Sequence, residues 1–189
     1  MRKTSLAAAL AVFSCFAAPL FSQEQISASP RTFIKGSIGD KTAAVREASG
    51  SEPALAEAGL DFVIENQAYF PGDRDMAALA LASVLALPKA EAMDRKDNDY
   101  ADRLSGKLVA VFAKSSDGTV RIAVLDKLVP LLSLHASEQA MVLLNSALTD
   151  AASAGDSPSS VSLAVLSAVG RLGNSDSFAI IYSIWKNRK

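Results

Sequence analysis

The sequence predicts an all-helical protein built from repeated helix pairs, and three observations carry that prediction. Alanine and leucine dominate the 189 residues, and only 6% are aromatic. That balance favours helix, because strands draw on β-branched and aromatic side chains. A unit made of a turn, a valine-like position and an apolar run recurs along the chain, and its fullest copy is Ser115 to Leu132. Apolar side chains also return at helical spacing through the stretches between turns.

Composition bounds the class. The chain is 50% hydrophobic and 21% charged, which is enough apolar surface for a packed core. Its length suits one domain. A formal net charge of −1 supplies no basic field for nucleic acid or an anionic membrane, so neither is expected as a partner.

Residues 1–22 read as a secretory signal peptide. Arg2 and Lys3 open it, an apolar run extends from Leu6 to Ala18, and Pro19 ends the run ahead of Gln23-Glu24-Gln25. The run is too short to span a bilayer comfortably. Cleavage is placed near Ser22-Gln23, which leaves no transmembrane segment and an exported, periplasmic or secreted chain. A rival reading takes Val12-Phe13-Ser14-Cys15 as a lipobox, with Cys15 as a lipid anchor in the membrane. Phe13 fits that motif poorly, and the apolar run continues past Cys15. Intact mass separates the two: a chain beginning at Gln23 excludes the anchor, and added acyl mass on Cys15 establishes it. Cys15 is the only cysteine. The mature chain would then hold no disulfide, thiol nucleophile or cysteine metal site, and stacked repeats would hold the fold together.

Past the signal segment, residues 23–35 read as a flexible leader and cap. Gln23 to Arg31 is polar, and Phe33, Ile34 and Ile38 offer an apolar cover for the first repeat. Residues 36–189 form the repeat domain. Four segments align on Val45, Met76, Val120 and Val161, which lie 31, 44 and 41 positions apart, a range suited to a two-helix unit with loops. Asp40 and Asp156 precede their anchors by five positions, Asp73 and Asp117 by three. An acid there caps a helix and meets its positive end. Between these segments lie second helices. Ala56, Leu60, Val63 and Ile64 share a face, as do Ala101, Leu104, Leu108, Val111 and Phe112, then Ala140, Leu143, Leu144, Ala147, Leu148 and Ala151, and last Phe178, Ile181, Tyr182 and Trp185. Turns at Pro71-Gly72, Ser116-Asp117-Gly118, Gly155-Asp156-Ser157-Pro158 and Gly173-Asn174 separate the helices. About eight helices in four pairs are expected, with no strand.

The stretch Asp40-x4-Val45-Arg46-Glu47-Ala48 resembles the Asp…Val-Arg…Ala signature of the HEAT repeat and its HEAT-like relatives. Val120-Arg121-x-Ala123 and Asp156-x4-Val161-x-x-Ala164 resemble weaker copies, and the likeness runs from about Gly36 to the C-terminus. The resemblance implies an α-α superhelix, a solenoid of about four helical hairpins. It also implies that the Asp and Arg bond between neighbouring repeats, so that Asp40, Val45, Arg46, Asp117, Val120, Arg121, Asp156 and Val161 are structural. Ala77 and Ser162 stand where the family pattern has arginine.

No catalytic, cofactor-binding or metal-ligating residue is assigned. His135 is the sole histidine, lies outside any clustered ligand spacing, and reads as an ordinary loop residue. Asp94, Asp97, Asp99 and Asp102 are acidic together, but a calcium loop counted from Asp97 would need glycine and glutamate where Asp102 and Leu108 stand. They read as acids at a helix start. Glu57, Asp61 and Glu65 recur every four residues beside an apolar face, and Arg103, Lys107 and Lys114 line the next second helix. These stripes are read either as pairing across a repeat boundary or as charges that select a partner on the concave face that second helices line in the HEAT family. Trp185, with Tyr182 and Phe178, is read as the closing side of the core, with a docking edge or dimer contact as the alternative should Trp185 be left partly exposed. The function expected is a non-enzymatic protein-binding scaffold or adaptor in the bacterial envelope. The alternatives are a structural envelope component anchored at Cys15, and an enzyme subunit of the HEAT-like chromophore-attachment type. Export and the missing thiol argue against the second.

Overall fold

The structure is a computed structural model and describes residues 30–48, 51–90, 98–153 and 159–187. The expected signal peptide with Cys15, together with Asp94, Asp97 and Asp156, lies outside the described residues. Among the described residues there are helices and turns and no strand. The helices are α1 (Pro30–Lys35), α2 (Ile38–Ala48), α3 (Pro53–Asn66), α4 (Arg74–Ala86), α5 (Asn98–Lys114), α6 (Gly118–Leu134), α7 (Glu138–Ser153), α8 (Ser160–Leu172) and α9 (Ser175–Asn187), and a 3-10 turn at Gln67–Tyr69 comes after α3. The eight helices expected from periodicity are α2 to α9. The ninth, α1, takes in Pro30 and Arg31 from the expected leader, and its 6 residues are too few to print a helical period. No helix among the described residues is long and apolar enough to cross a membrane.

Side-chain caps set the helix starts. Asp73 Oδ1 accepts the Met76 amide at 2.9 Å, and Asp117 Oδ1 accepts the Val120 amide at 3.0 Å. The acid three positions before the anchor is therefore the cap itself. Helix α2 starts differently. Ser37 Oγ accepts the Asp40 amide at 3.2 Å, while Asp40 Oδ2 accepts the Ser37 amide at 2.9 Å. That is a reciprocal capping box with aspartate in place of glutamate. The Ser37 hydroxyl and then its amide hold the Asp40 carboxyl below its usual value. Ser159 caps α8 through the Ser162 amide, 3.1 Å from its Oγ.

One expectation changes as a result. Met76 and Val120 take the third helical position, Val161 the second and Val45 the eighth. The short first interval thus comes from aligning a residue deep inside α2 with residues at the starts of α4 and α6.

Packing runs in two series. Helices α2, α4, α6 and α8 contact one another in succession, and α3, α5, α7 and α9 do the same. The two series meet along α2–α3, α3–α4, α5–α6 and α7–α8, and α1 lies on α2. One apolar core runs through these contacts from Phe33 to Val169. Helix α3 approaches α4 closely at Gly59, where a Cβ would stand 2.1 Å from Ser83 Oγ. Ala56, Leu60, Val63, Leu104, Leu108, Val111, Phe112, Ala140, Leu144, Ala147 and Leu148 are buried as their spacing predicted, whereas Ile64, Ala101, Leu143 and Ala151 of the same stripes are half-buried.

The last helix departs from its predicted face. In α9 the sides turned inward are Ser177, Ile180, Ile181 and Ile184, whereas Phe178, Tyr182 and Trp185 are exposed. Asn174 Oδ1 accepts the Ser177 amide at 3.0 Å and caps the helix, and the buried Ser177 hydroxyl donates to Asn145 Oδ1 of α7 at 2.7 Å. The Ser177–Asn145 bond ties to α7 the side of α9 on which Ile180, Ile181 and Ile184 pack against the core.

Candidate partner-binding surface

Helices α3 and α5 lie side by side, so residues four apart on one meet residues four apart on the other. Lys107 of α5 donates to Glu57 Oε2 at 3.0 Å and to Asp61 Oδ2 at 2.9 Å. Arg103 places Nε 3.5 Å from the same Glu57 oxygen, and its guanidinium lies 5.2 Å from the centre of the Tyr100 ring. Burial works against the Lys107 ammonium, but hydrogen bonds to Asp61 and Glu57 outweigh it and hold the pKa above the ordinary lysine value. The structure thus brings Glu57, Asp61, Arg103 and Lys107 together. Lys114 lies farther along and donates to the Ile64 carbonyl at 2.5 Å. It borders a hollow of about 260 Å³ that Gln67, Pro71 and Gly72 also line. Glu65 is exposed and has no ion pair among the described residues. Trp185 belongs to a different region, on α9 against α7.

Next to the paired charges is a groove that the residue pattern did not announce. It measures about 300 Å³ and is lined by Phe33, Ile34, Lys41, Ala58, Phe62 and the carboxylates of Asp61 and Glu65. Lys41 explains its shape. This buried side chain donates to the carbonyls of Phe33 at 2.5 Å, Gly36 at 2.8 Å and Ile34 at 3.2 Å. Those are carbonyls at and just past the end of α1, which a cation satisfies. Its ammonium also lies 5.3 Å from the Phe33 ring centre and 5.1 Å from that of Phe62. Lys41 therefore ties α1 down beside α3 and leaves an apolar floor with an acidic edge. Sequence reading missed it because a lysine on the apolar side of a helix reads as an interruption. Its position four residues before Val45 was the available signal.

Arg121 forms no ion pair with an aspartate among the described residues. Its guanidinium lies 4.2 Å from the Phe112 ring centre, and its buried Nε has no hydrogen-bond partner. Arg46 is exposed. Among the described residues, Asp40 and Asp117 serve at helix starts and Arg121 makes an arginine–aromatic contact. Val45 and Val120 are buried, and Val161 is half-buried. His135 closes the end of α6 and places Nε2 2.8 Å from Asp102 Oδ1, linking it to α5. No cluster of three or more histidine, cysteine or acidic side chains suited to a metal occurs among the described residues. No protein-family model, no curated protein and no solved structure matches this chain.

Proposed function

We propose that this protein is a non-enzymatic binding scaffold of the bacterial envelope, a solenoid of HEAT-like helical hairpins that recognises a partner protein along α1, α3 and α5. The alternating contacts of the two helix series support the solenoid reading, since each layer touches its neighbours in turn. The observation that carries the binding reading is the groove beside α1, with Phe33, Ile34 and Phe62 in its wall and Asp61 and Glu65 on its edge. Apolar walls give affinity, and an acidic edge selects a cationic partner. The partner segment is therefore a basic, apolar stretch of another protein chain. The Arg103 and Lys107 charges largely neutralise Glu57 and Asp61, so Glu65 is the acid left to read the partner.

The test is binding of fluorescently labelled peptides in which lysine alternates with leucine and phenylalanine, set against glutamate-containing counterparts. The lysine peptides are expected to bind, to weaken at high salt and to lose about tenfold in affinity with Glu65→Lys, a change of one opposed charge contact. Equal binding of the acidic peptides, or no effect of Glu65→Lys, overturns the reading.

A further inference from the structure

The aromatic side chains of α9 occupy positions that the same architecture buries elsewhere. Set Ser177, Ile181 and Ile184 of α9 over Leu104, Leu108 and Val111 of α5, the inward positions of both helices. Phe178, Tyr182 and Trp185 then fall over Ser105, Val109 and Phe112, all buried in α5. The first series behaves alike. Val165 and Val169 of α8 match Val124 and Leu128 of α6, so Leu166 of α8 matches Leu125, which is buried. Helix α6 has α4 on one flank and α8 on the other, whereas α8 has α6 alone in its series. The outward faces of α8 and of α9 are thus each a layer-to-layer surface with no layer upon it among the described residues. They expose Phe178 by 70%, Trp185 by 55%, Leu163 by 54%, Tyr182 by 52% and Leu166 by 45%. Phe178 and Tyr182 stack at 6.4 Å, and Tyr182 and Trp185 lie 5.9 Å apart, so the rings form one continuous strip. A terminal repeat normally carries a polar outer face.

We propose that two copies of this chain associate through the outer faces of α8 and α9 as a closed two-fold dimer. Size permits it. At about 150–250 Å² per aromatic side chain, the exposed fractions leave roughly 350 Å² uncovered per copy. With the leucines, a pair of faces buries about 1,000 Å², where specific interfaces begin. Charge favours self-pairing over a charged partner. The only charged residues of α8 and α9 are Arg171, Asp176 and Lys186, so the strip meets its own copy without like-charge repulsion. Asp176 and Lys186 stand at opposite ends of α9, and an antiparallel crossing brings each near the opposite charge of the other copy. The far end of the molecule favours closure, because α1 covers α2 there and Lys41 holds it in place. A head-to-tail contact would have to seat the strip at the α1 end and would grow into a filament, so species larger than two copies overturn the closed dimer.

The chain has a single tryptophan, and it lies on this face, which makes the test direct. Mass is measured by sedimentation on the full chain between about 1 and 100 μM, the range of a moderate interface, with tryptophan emission recorded on the same samples. The dimer is expected to form with concentration as the Trp185 emission moves to shorter wavelength. Phe178→Glu and, independently, Leu166→Glu are each expected to give a monomer with unchanged helical circular dichroism and emission held at longer wavelength. A wild-type monomer throughout this range overturns the proposal. So does a dimer that survives both substitutions, which would place the contact elsewhere. Neither result bears on the groove beside α1, because the substituted positions lie on α8 and α9.

Discussion

Lys107 donates to two carboxylates from the neighbouring helix and is itself largely covered, so it is the charge whose titration the fold feels most. Its folded pKa is raised above that of a lysine in the unfolded chain. The stability it contributes is then fully present below the ordinary lysine pKa and is lost as pH rises through the folded value. Denaturant unfolding measured from neutral pH up to pH values above the lysine range should show wild type losing more stability than Lys107→Gln. An equal loss in the two proteins would mean that Lys107 titrates as a free surface lysine. The pairing of Lys107 with Glu57 and Asp61 was legible, because four-residue spacing on adjacent helices leaves few other partners. Lys41 was not. Its place four residues before Val45 put it on the buried face, but its three carbonyl acceptors belong to a six-residue helix and its end, which sequence pattern does not reveal.

Between elements, the α3–α4 contact rests on one glycine. A Cβ at Gly59 would meet Ser83 Oγ at 2.1 Å and Ser83 Cβ at 3.1 Å, and Ser83 Oγ is buried without a hydrogen-bond partner. Gly59→Ala should therefore destabilise by about 1–3 kcal/mol through overpacking, despite alanine's better helix propensity. Ser83→Ala should be neutral or stabilising, since it removes an unsatisfied hydroxyl, and it should relieve part of the Gly59→Ala loss. Thermal or denaturant unfolding of the two single variants and the double variant measures this coupling. Strict additivity would show that the two helices move apart to accept the methyl group. The same contact marks what sequence could tell. Helix positions and the buried faces of α3, α5 and α7 come from period and caps, because those helices are covered on several sides and any apolar stripe finds the core. In α9 the period pointed to the wrong face, because two stripes compete there. The serine–asparagine bond at Ser177 and Asn145, invisible to a hydrophobic pattern, lies on the side of the isoleucine stripe that packs inward. The capping acids were legible for Asp73 and Asp117, whereas Asp40 serves the same end from the third helical position.

At the scale of the molecule, the succession of contacts from α2–α4 through α6–α8, and from α3–α5 through α7–α9, makes stability a matter of neighbours. A layer with packing on both sides opens only by breaking two boundaries, and a terminal layer by breaking one. Helix α1 adds cover at one end, held by Lys41. Helices α8 and α9 have none from the described residues of a single copy. Amide hydrogen exchange on dilute protein should therefore give the strongest protection in α4 to α6, weaker protection in α2 and α3, and the weakest in α8 and α9. Leu144→Ala removes a fully buried side chain of α7, at a cost of about 2–5 kcal/mol. That loss should fall on α6 to α9 and leave α2 to α4 nearly as protected as before. If instead one substitution lowers protection equally from α2 to α9, the chain unfolds as a single cooperative globule, and the solenoid reading fails with it. Raising the protein concentration supplies the second arm. A partner copy on α8 and α9 gives the terminal layer its missing boundary, so protection there should climb with concentration while α2 and α3 stay unchanged.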